Sequence, residues 1–289
     1  WAIASDEEVA FGRACDLVLH SSMTHVRVLR AAGCHNAGFL NIGYDPEQYF
    51  ARPEEDNRMS VVDLVRVEST GLVNGRKYDA VFLGNRYGAG DPFSSTYHWK
   101  NGTPAHEAEL RDEVVQKMRD AFGGRFGVFG AGWDKEKLCV AGKKGPCDCP
   151  PIEVVPVTRS HEVYWESRIG LSVSLDNKLE CYTSDRLFRI LGCGALLLAK
   201  RFPGAEVLGL RHGENCLLFE TADEAVMMVE AVRDEVDFLN DGEARNWKQM
   251  VSKLVEGGAR LAFENHTWGG RVRELQVYLD AVRAARERA

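Results

Sequence analysis

The sequence predicts an α/β protein built on parallel β-sheet. Short apolar runs of strand length alternate with segments whose apolar residues recur at helical spacing, the pattern of strands side by side with helices on both faces. Four segments at the predicted strand and helix ends are rich in small and polar residues, the composition expected where parallel strands open toward a ligand. The stretch Cys181–Glu220 shows this most densely. It has hydroxyl and carboxylate side chains at a helix start, glycines at the helix end, and then an apolar run.

Taken in chain order, Asp16–Ser21 (DLVLHS) reads as a short strand, and MTHVRVLRAAG as a helix that stops at Gly33. HNAGFLNIGYDPEQYF supplies another strand and closes on the turn formers Gly43, Asp45 and Pro46, so the first ~45 residues form one βαβ-type unit. Residues 52–77 are charged at the front and irregular in period, and read as a linker. Tyr78–Gly84 is the next strand, followed by a loop rich in Gly, Ser and Asn that runs to Gly102. Thr103 as N-cap and Pro104 at the first helical position open the helix PAHEAELRDEVVQKMRDAFG. A strand at Arg125–Gly130, an extended run at Ile152–Val157, the helical SHEVYWES and a strand at Ile169–Ser174 follow.

In the Cys181–Glu220 stretch, Thr183, Ser184 and Asp185 offer N-cap side chains, and Leu187, Phe188, Ile190 and Leu191 give the next turns an apolar face. Gly192 and Gly194 stop the helix, and Ala195–Ala199 has the length of a buried strand. Thr221–Glu224 reads as a capping box for a helix reaching about Phe238, and Arg245–Phe263 as a further amphipathic helix.

Composition narrows the class. The 289 residues, 45% hydrophobic and 27% charged, have room for one large domain or two smaller ones of ordinary soluble type. No apolar run approaches the ~20 residues of a membrane span, and WAIASDEEVAFGRACD lacks the basic start and apolar core of a signal peptide, so a cytoplasmic protein is expected. The chain opens at Trp1 in mid-pattern without a Met, which predicts residues upstream. A net charge of -7 disfavours a surface designed for DNA, and Lys143-Lys144 is the only short basic cluster. The eight cysteines read mostly as reduced, buried thiols. Cys139, Cys147 and Cys149 sit in a loop-like context where three thiolates with His161 make a zinc set, but the spacing matches no two-plus-two knuckle and no metal is assigned. Asn101-Gly102-Thr103 and Asn265-His266-Thr267 match the glycosylation pattern, which is frequent by chance.

Chemistry concentrates at the loops. Free N–H groups at the helix start near Thr183 can receive a phosphate, with the Arg186 guanidinium one turn in; an ordinary capped helix reads the same locally. That start, Tyr182-Thr183-Ser184, has three counterparts in Gly84-Asn85-Arg86, Gly130-Ala131-Gly132-Trp133 and Ser174-Leu175-Asp176-Asn177. Small residues let backbone approach phosphate while Asn, Arg, Trp and Tyr bond or stack with sugar or base, so the set favours a nucleotide-type ligand. GxGxxG is absent after the first predicted strand of either unit, GxxxxGK[ST] is absent, and so is Asp-x-Asp. These absences argue against a dinucleotide dehydrogenase, a P-loop enzyme and a metal-diphosphate clamp.

With these residues in hand, the chain resembles the GT-B glycosyltransferases, specifically the CgeB-like group among glycosyl transferase family 1 relatives. The resembling pieces are Tyr182–Ala195 (YTSDRLFRILGCGA), Phe202–Glu206, His212–Asn215, Leu218-Phe219, His266-Thr267-Trp268 with Arg271, and GYDPEQYF. The resemblance implies a GT-B-like α/β fold. Residues 1–51 would close an amino-terminal, acceptor-side Rossmann-like domain, with a linker at 52–77. Residues 78–268 would form the nucleotide-sugar-binding Rossmann-like domain, and 269–289 a helix packing back toward the amino-terminal part. It further implies transfer of a sugar from a nucleotide-sugar donor to an acceptor such as a glycan, lipid, protein or modified DNA base, with no cofactor or metal required. The diphosphate would lie near Thr183, Ser184 and Arg186, aided by Arg86. The base would lie near the loop after Gly130 and Val157-Thr158. His20, at a strand end, is the candidate general base. The family usually has a ribose-binding Glu where this chain has Arg189, and a guanidinium has no acceptor for hydroxyl protons; Glu206 or Glu214 would have to substitute. A GT-B-like module without catalysis and a GT-B-fold sugar-nucleotide epimerase are the alternatives.

Overall fold

The computed structural model describes residues 4–50, 76–86, 108–133, 153–234 and 247–288. It holds two parallel sheets. In the smaller, β1 (Val18–His20) pairs with β2 (Ala37–Phe39). Helix α2 (Met23–Ala31) crosses between them and buries Val26 and Leu29 against Cys34 and Ala37. A helix the sequence reading did not assign, α1 (Asp6–Ala14), precedes them. Its signal is present as a capping box, in which the Ser5 hydroxyl accepts the Glu8 N–H and the Glu8 carboxylate accepts the Ser5 N–H.

The larger sheet has five parallel strands: β3 (Tyr78–Leu83), β4 (Phe126–Phe129), β5 (Ser167–Ser172), β6 (Leu196–Lys200) and β7 (Leu217–Phe219). Their order is β4-β3-β5-β6-β7. The strands are buried along almost their whole length, as parallel strands covered on both faces must be. Alternation divides their side chains. Ala80, Phe82, Ile169, Leu171, Leu196, Leu198, Leu217 and Phe219 meet α3 (Ala108–Phe122), α6 (Ala222–Asp234) and α7 (Trp247–Asn265) on one side. Val81, Leu197, Ala199 and Leu218 meet α4 (Ser160–Trp165) and α5 (Arg186–Gly192) on the other. Glycine at 170 lets α5 approach β5, because a Cβ there would stand 2.5 Å from Ile190 Cγ2.

Several local expectations shift. The strand expected at Ile169–Ser174 runs two residues earlier, and of the run Ile152–Val157 the described residues 153–157 supply only the bridge of Glu153 to Phe129, with Pro156 donating no N–H. The capping arrangement before α6 is wider than a box. Thr221 Oγ1 accepts from Glu224 N, but the Glu224 carboxylate accepts from Glu220 N. The five described cysteines are free thiols, four of them buried. Cys139, Cys147, Cys149, Lys143-Lys144, the Thr103-Pro104 helix start, most of the 52–77 linker and the α6 continuation to Phe238 lie outside the described residues.

The last helix, α8 (Trp268–Arg286), is capped by Thr267 and runs against the amino-terminal unit. Tyr278 donates to the Phe39 carbonyl, Arg271 Nε to that of Ile42, and Arg286 pairs with Asp16. Where it begins, the two passages of chain between units meet: Tyr44 N donates to His266 O and Trp268 N to Tyr44 O, each at 3.0 Å. No described helix is long and apolar enough to cross a membrane.

Candidate functional site

In the order β4-β3-β5-β6-β7 the chain first moves outward from β3 to β4, then returns past β3 to β5 and onward. The helices after β3 and β5 therefore leave on opposite faces, and a crevice opens between the carboxyl ends of these two strands, where ligands of open α/β sheets bind. Two arginines converge there. Arg186, the first residue of α5, donates from Nη1 to the Val173 carbonyl at 3.3 Å and lays its guanidinium 4.7 Å from the Phe82 ring centre. Arg111, on α3, donates to the same carbonyl at 2.8 Å and to that of Asn85 at 3.2 Å, 5.7 Å from the same ring. A Cβ at position 84 would fall 2.9 Å from Arg186 Nη2, so glycine there makes room for the guanidinium.

Arg111 was absent from the sequence candidates. Its signal was an arginine on the same helical stripe as Val115 and Met118, at the spacing of buried positions; it is 4% exposed. Both guanidiniums are held from below by carbonyls and an aromatic face. This arrangement keeps positive charge at the crevice in a low-dielectric setting.

The loops after β3 and β4 are laced together. Gly84 N donates to Phe129 O, Arg86 N to Ala131 O, and Asn85 Oδ1 accepts from Ala131 N at 2.9 Å. Trp133 is buried, edge-on to Phe82, and its indole N–H donates to Gly84 O at 2.7 Å, so it braces the loop. Position 132 is also glycine of necessity, with a positive φ and the Arg86 carbonyl 2.3 Å from where a Cβ would be. Arg86 gives two hydrogen bonds to Asp112.

At the start of α5 the side-chain cap expected from Thr183, Ser184 and Asp185 does not form. Asp185 is itself helical in backbone angles, so its carboxylate faces away from the first-turn amides and pairs with Arg189 at 2.5 Å. Thr183 donates to the Ser184 carbonyl. Among the described residues, the N–H groups of Thr183, Ser184 and Asp185 meet no acceptor, and the buried Ser184 Oγ has no partner. The buried Tyr164 hydroxyl is likewise unpartnered, and burial raises its pKa against the opposing influence of Arg186 and Arg189. A half-buried Tyr182 stands beside this loop.

The remaining candidates stand apart from the two arginines. Arg189 lies 4.8 Å from the Tyr49 ring centre, and Tyr49 in turn bonds Ser160 Oγ and Val157 O, so Arg189 ties α5 to the crossing chain. Thr158 is exposed in the turn before α4, and Glu206 is exposed in a turn after β6. His20 ends β1. Its Nδ1 accepts the Ser22 N–H at 3.0 Å, its ring stacks on His25 at 4.1 Å, and burial lowers its pKa with Glu8 opposing. In that acceptor role the neutral ring carries its proton on Nε2, where it can donate.

Residues 111–276, more than half of the chain, match a family model described as glycosyl transferase-like. No curated protein matches. Among solved structures, HepE from Anabaena in complex with UDP and glucose superposes with a TM-score of 0.58 at 10% identity, over 96% of this chain and 68% of HepE. Sucrose-phosphate synthase from Thermosynechococcus elongatus gives 0.56 at 12%, over 98% and 63%. TarM from S. aureus, solved with fondaparinux, alpha-GlcNAc-glycerol and UDP, gives 0.56 at 10%, over 94% and 45%. The chain thus spans about two thirds of the first and less than half of the last, and its fold is GT-B-like. These matches carry the family without singling out its CgeB-like members.

Proposed function

The chain belongs to the glycosyl transferase-like family, and from that premise we propose that it moves a sugar from a nucleotide-sugar donor to an acceptor, with the donor diphosphate in the β3/β5 crevice. One observation carries this reading. Arg186 and Arg111 converge on the Val173 carbonyl beside a glycine that leaves the crevice open. Breaking the bond between sugar and diphosphate leaves negative charge on the departing oxygen, and cations already fixed in place stabilise that charge without reorganising. Arg186 and Arg111 do this in our reading. The free amides of Thr183 to Asp185 and the Ser184 hydroxyl supply neutral donors to the same oxygens.

Arg86 stands behind them, and no metal is required in this scheme. The base lies toward the loop of Gly132 and the turn of Thr158. Arg189 has no part in holding the ribose, since its guanidinium accepts no proton and is engaged by Asp185 and Tyr49. Glu206 is the proposed carboxylate for that task. His20 serves as a hydrogen-bond donor, not as the base. The acceptor is a hydroxyl of a glycan, lipid or protein, or a modified DNA base.

Arg186→Ala is expected to lower turnover roughly tenfold or more, measured as nucleoside diphosphate released in the presence of acceptor. Turnover equal to that of the unaltered protein would sink the assignment. Arg189 at the usual carboxylate position favours a second reading, a GT-B-like module without catalysis. Calorimetry with UDP-, GDP- and dTDP-sugars separates the two, because a module of that kind binds none of them.

A further inference from the structure

The amino-terminal unit grips the chain at one residue next to the crevice. Glu180 precedes the Tyr182–Arg186 loop, and the first turn of α2 takes hold of it on every side. Met23 N donates to its carbonyl at 2.9 Å, the buried Ser22 Oγ donates to the same oxygen, and Thr24 Oγ1 accepts its N–H at 2.8 Å. Its carboxylate receives both terminal nitrogens of Arg27, at 2.9 and 2.5 Å. Main chain and side chain of a single residue are thereby fixed from the other unit.

The next residue is in a conformation that does not arise unaided. Cys181 has φ +57°, the only non-glycine with positive φ among the described residues. For an L-residue the left-handed region brings Cβ too close to the following carbonyl oxygen and persists where the surroundings over-determine it. Here they do so from two directions. Glu180 is pinned from the amino-terminal unit, while Cys181 N donates to Pro203 O and its sulfur sits against Gly204, where a Cβ would be 2.5 Å away. Past Tyr182, whose N–H donates to the Leu179 carbonyl, the chain reaches the amides of Thr183 to Asp185.

We propose that Glu180 is a positioning residue, through which docking of α2 holds Cys181 in its left-handed bend and so sets the Tyr182–Arg186 loop in its anion-accepting form. The loop's order then depends on contact between the units. The effect on donor affinity rests on the function proposed above, whereas the effect on loop order does not.

A charge reversal tests it. Arg27 is exposed, so Arg27→Glu leaves the core intact, and an exposed pair of this kind contributes little to global stability. Hydrogen exchange at the Cys181 and Tyr182 amides, which donate to the Pro203 and Leu179 carbonyls, should quicken roughly tenfold in Arg27→Glu and in Glu180→Arg while the melting temperature stays within a few degrees. Combining the two substitutions should restore slow exchange. Dissociation constants for UDP, GDP and dTDP, whichever binds, should rise in the single variants and recover in the pair. Unchanged exchange at the Cys181 and Tyr182 amides in both single variants overturns the proposal whether or not a nucleotide binds. Faster exchange without binding of any nucleotide by the unaltered protein upholds the positioning role and overturns the donor reading instead.

Discussion

At the scale of single residues, the buried histidine between α7 and α8 links the molecule's stability to pH. His266 Nε2–H donates to the Leu208 carbonyl, Nδ1 accepts from Arg271, and the ring stacks on Phe188 at 4.0 Å. Burial first, and Arg271 second, lower its pKa from 6.5 to about 4, against the Leu208 bond. Because the folded value lies below the unfolded one, the unfolded chain takes up the proton first as pH falls. The contribution is complete above pH 6.5, declines as pH falls toward 4, and amounts to about 3 kcal/mol in total. Denaturant titrations from pH 7.5 to 4.5 should show a smaller loss for His266→Gln than for the unaltered protein. An equal loss would place the titration elsewhere, with His25, also lowered to about 4, the next group to examine.

At the scale of elements, the α5–β5 contact decides where Arg186 stands. Gly170 and Ile190 meet with no room for a methyl group, so Gly170→Ala should cost about 1–3 kcal/mol in urea denaturation. Ile190→Ala alone should cost about 2–5 kcal/mol. The double variant should lose less than the two together, since the cavity left by one change receives the methyl of the other. Strict additivity would mean that the backbone moves apart and that the register of α5 does not depend on this contact. The elements themselves were legible because periodicity reflects burial: β3, β4 and β6 fall where their apolar runs lie. The Ile152–Val157 run is apolar without forming a strand in its described residues, and Pro156 within it has no N–H to give to a ladder.

At the scale of the whole molecule, Arg271 joins the two units at their crossing. It is buried, donates to Ile42 O in the amino-terminal part and to His266, and pairs with Glu274. Arg271→Ala should cost about 3 kcal/mol, because it strands buried acceptors on both sides. Limited proteolysis should then cut between the units before either core is lost. Simultaneous loss of both would show that the crossing is no independent joint.

The sequence by itself determined the alternation of elements, the parallel sheet, the polar loops at one end and the presence of Arg186 among them, because each follows from local pattern and spacing. Only the tertiary structure decided which cations share the crevice. Arg111 lies 75 positions before Arg186 in number yet binds the same carbonyl, and Asp185, a cap by composition, turns to Arg189 instead. It also decided that His20 spends its acceptor nitrogen on a backbone amide and that Glu180, ordinary in sequence, is clasped from another unit. The physical reason is common to all four. A side chain's role is fixed by the partners that folding brings to it, distant ones for Arg111 and Glu180 and one chosen among near neighbours for Asp185 and His20, and spacing in the sequence does not show which partner is taken.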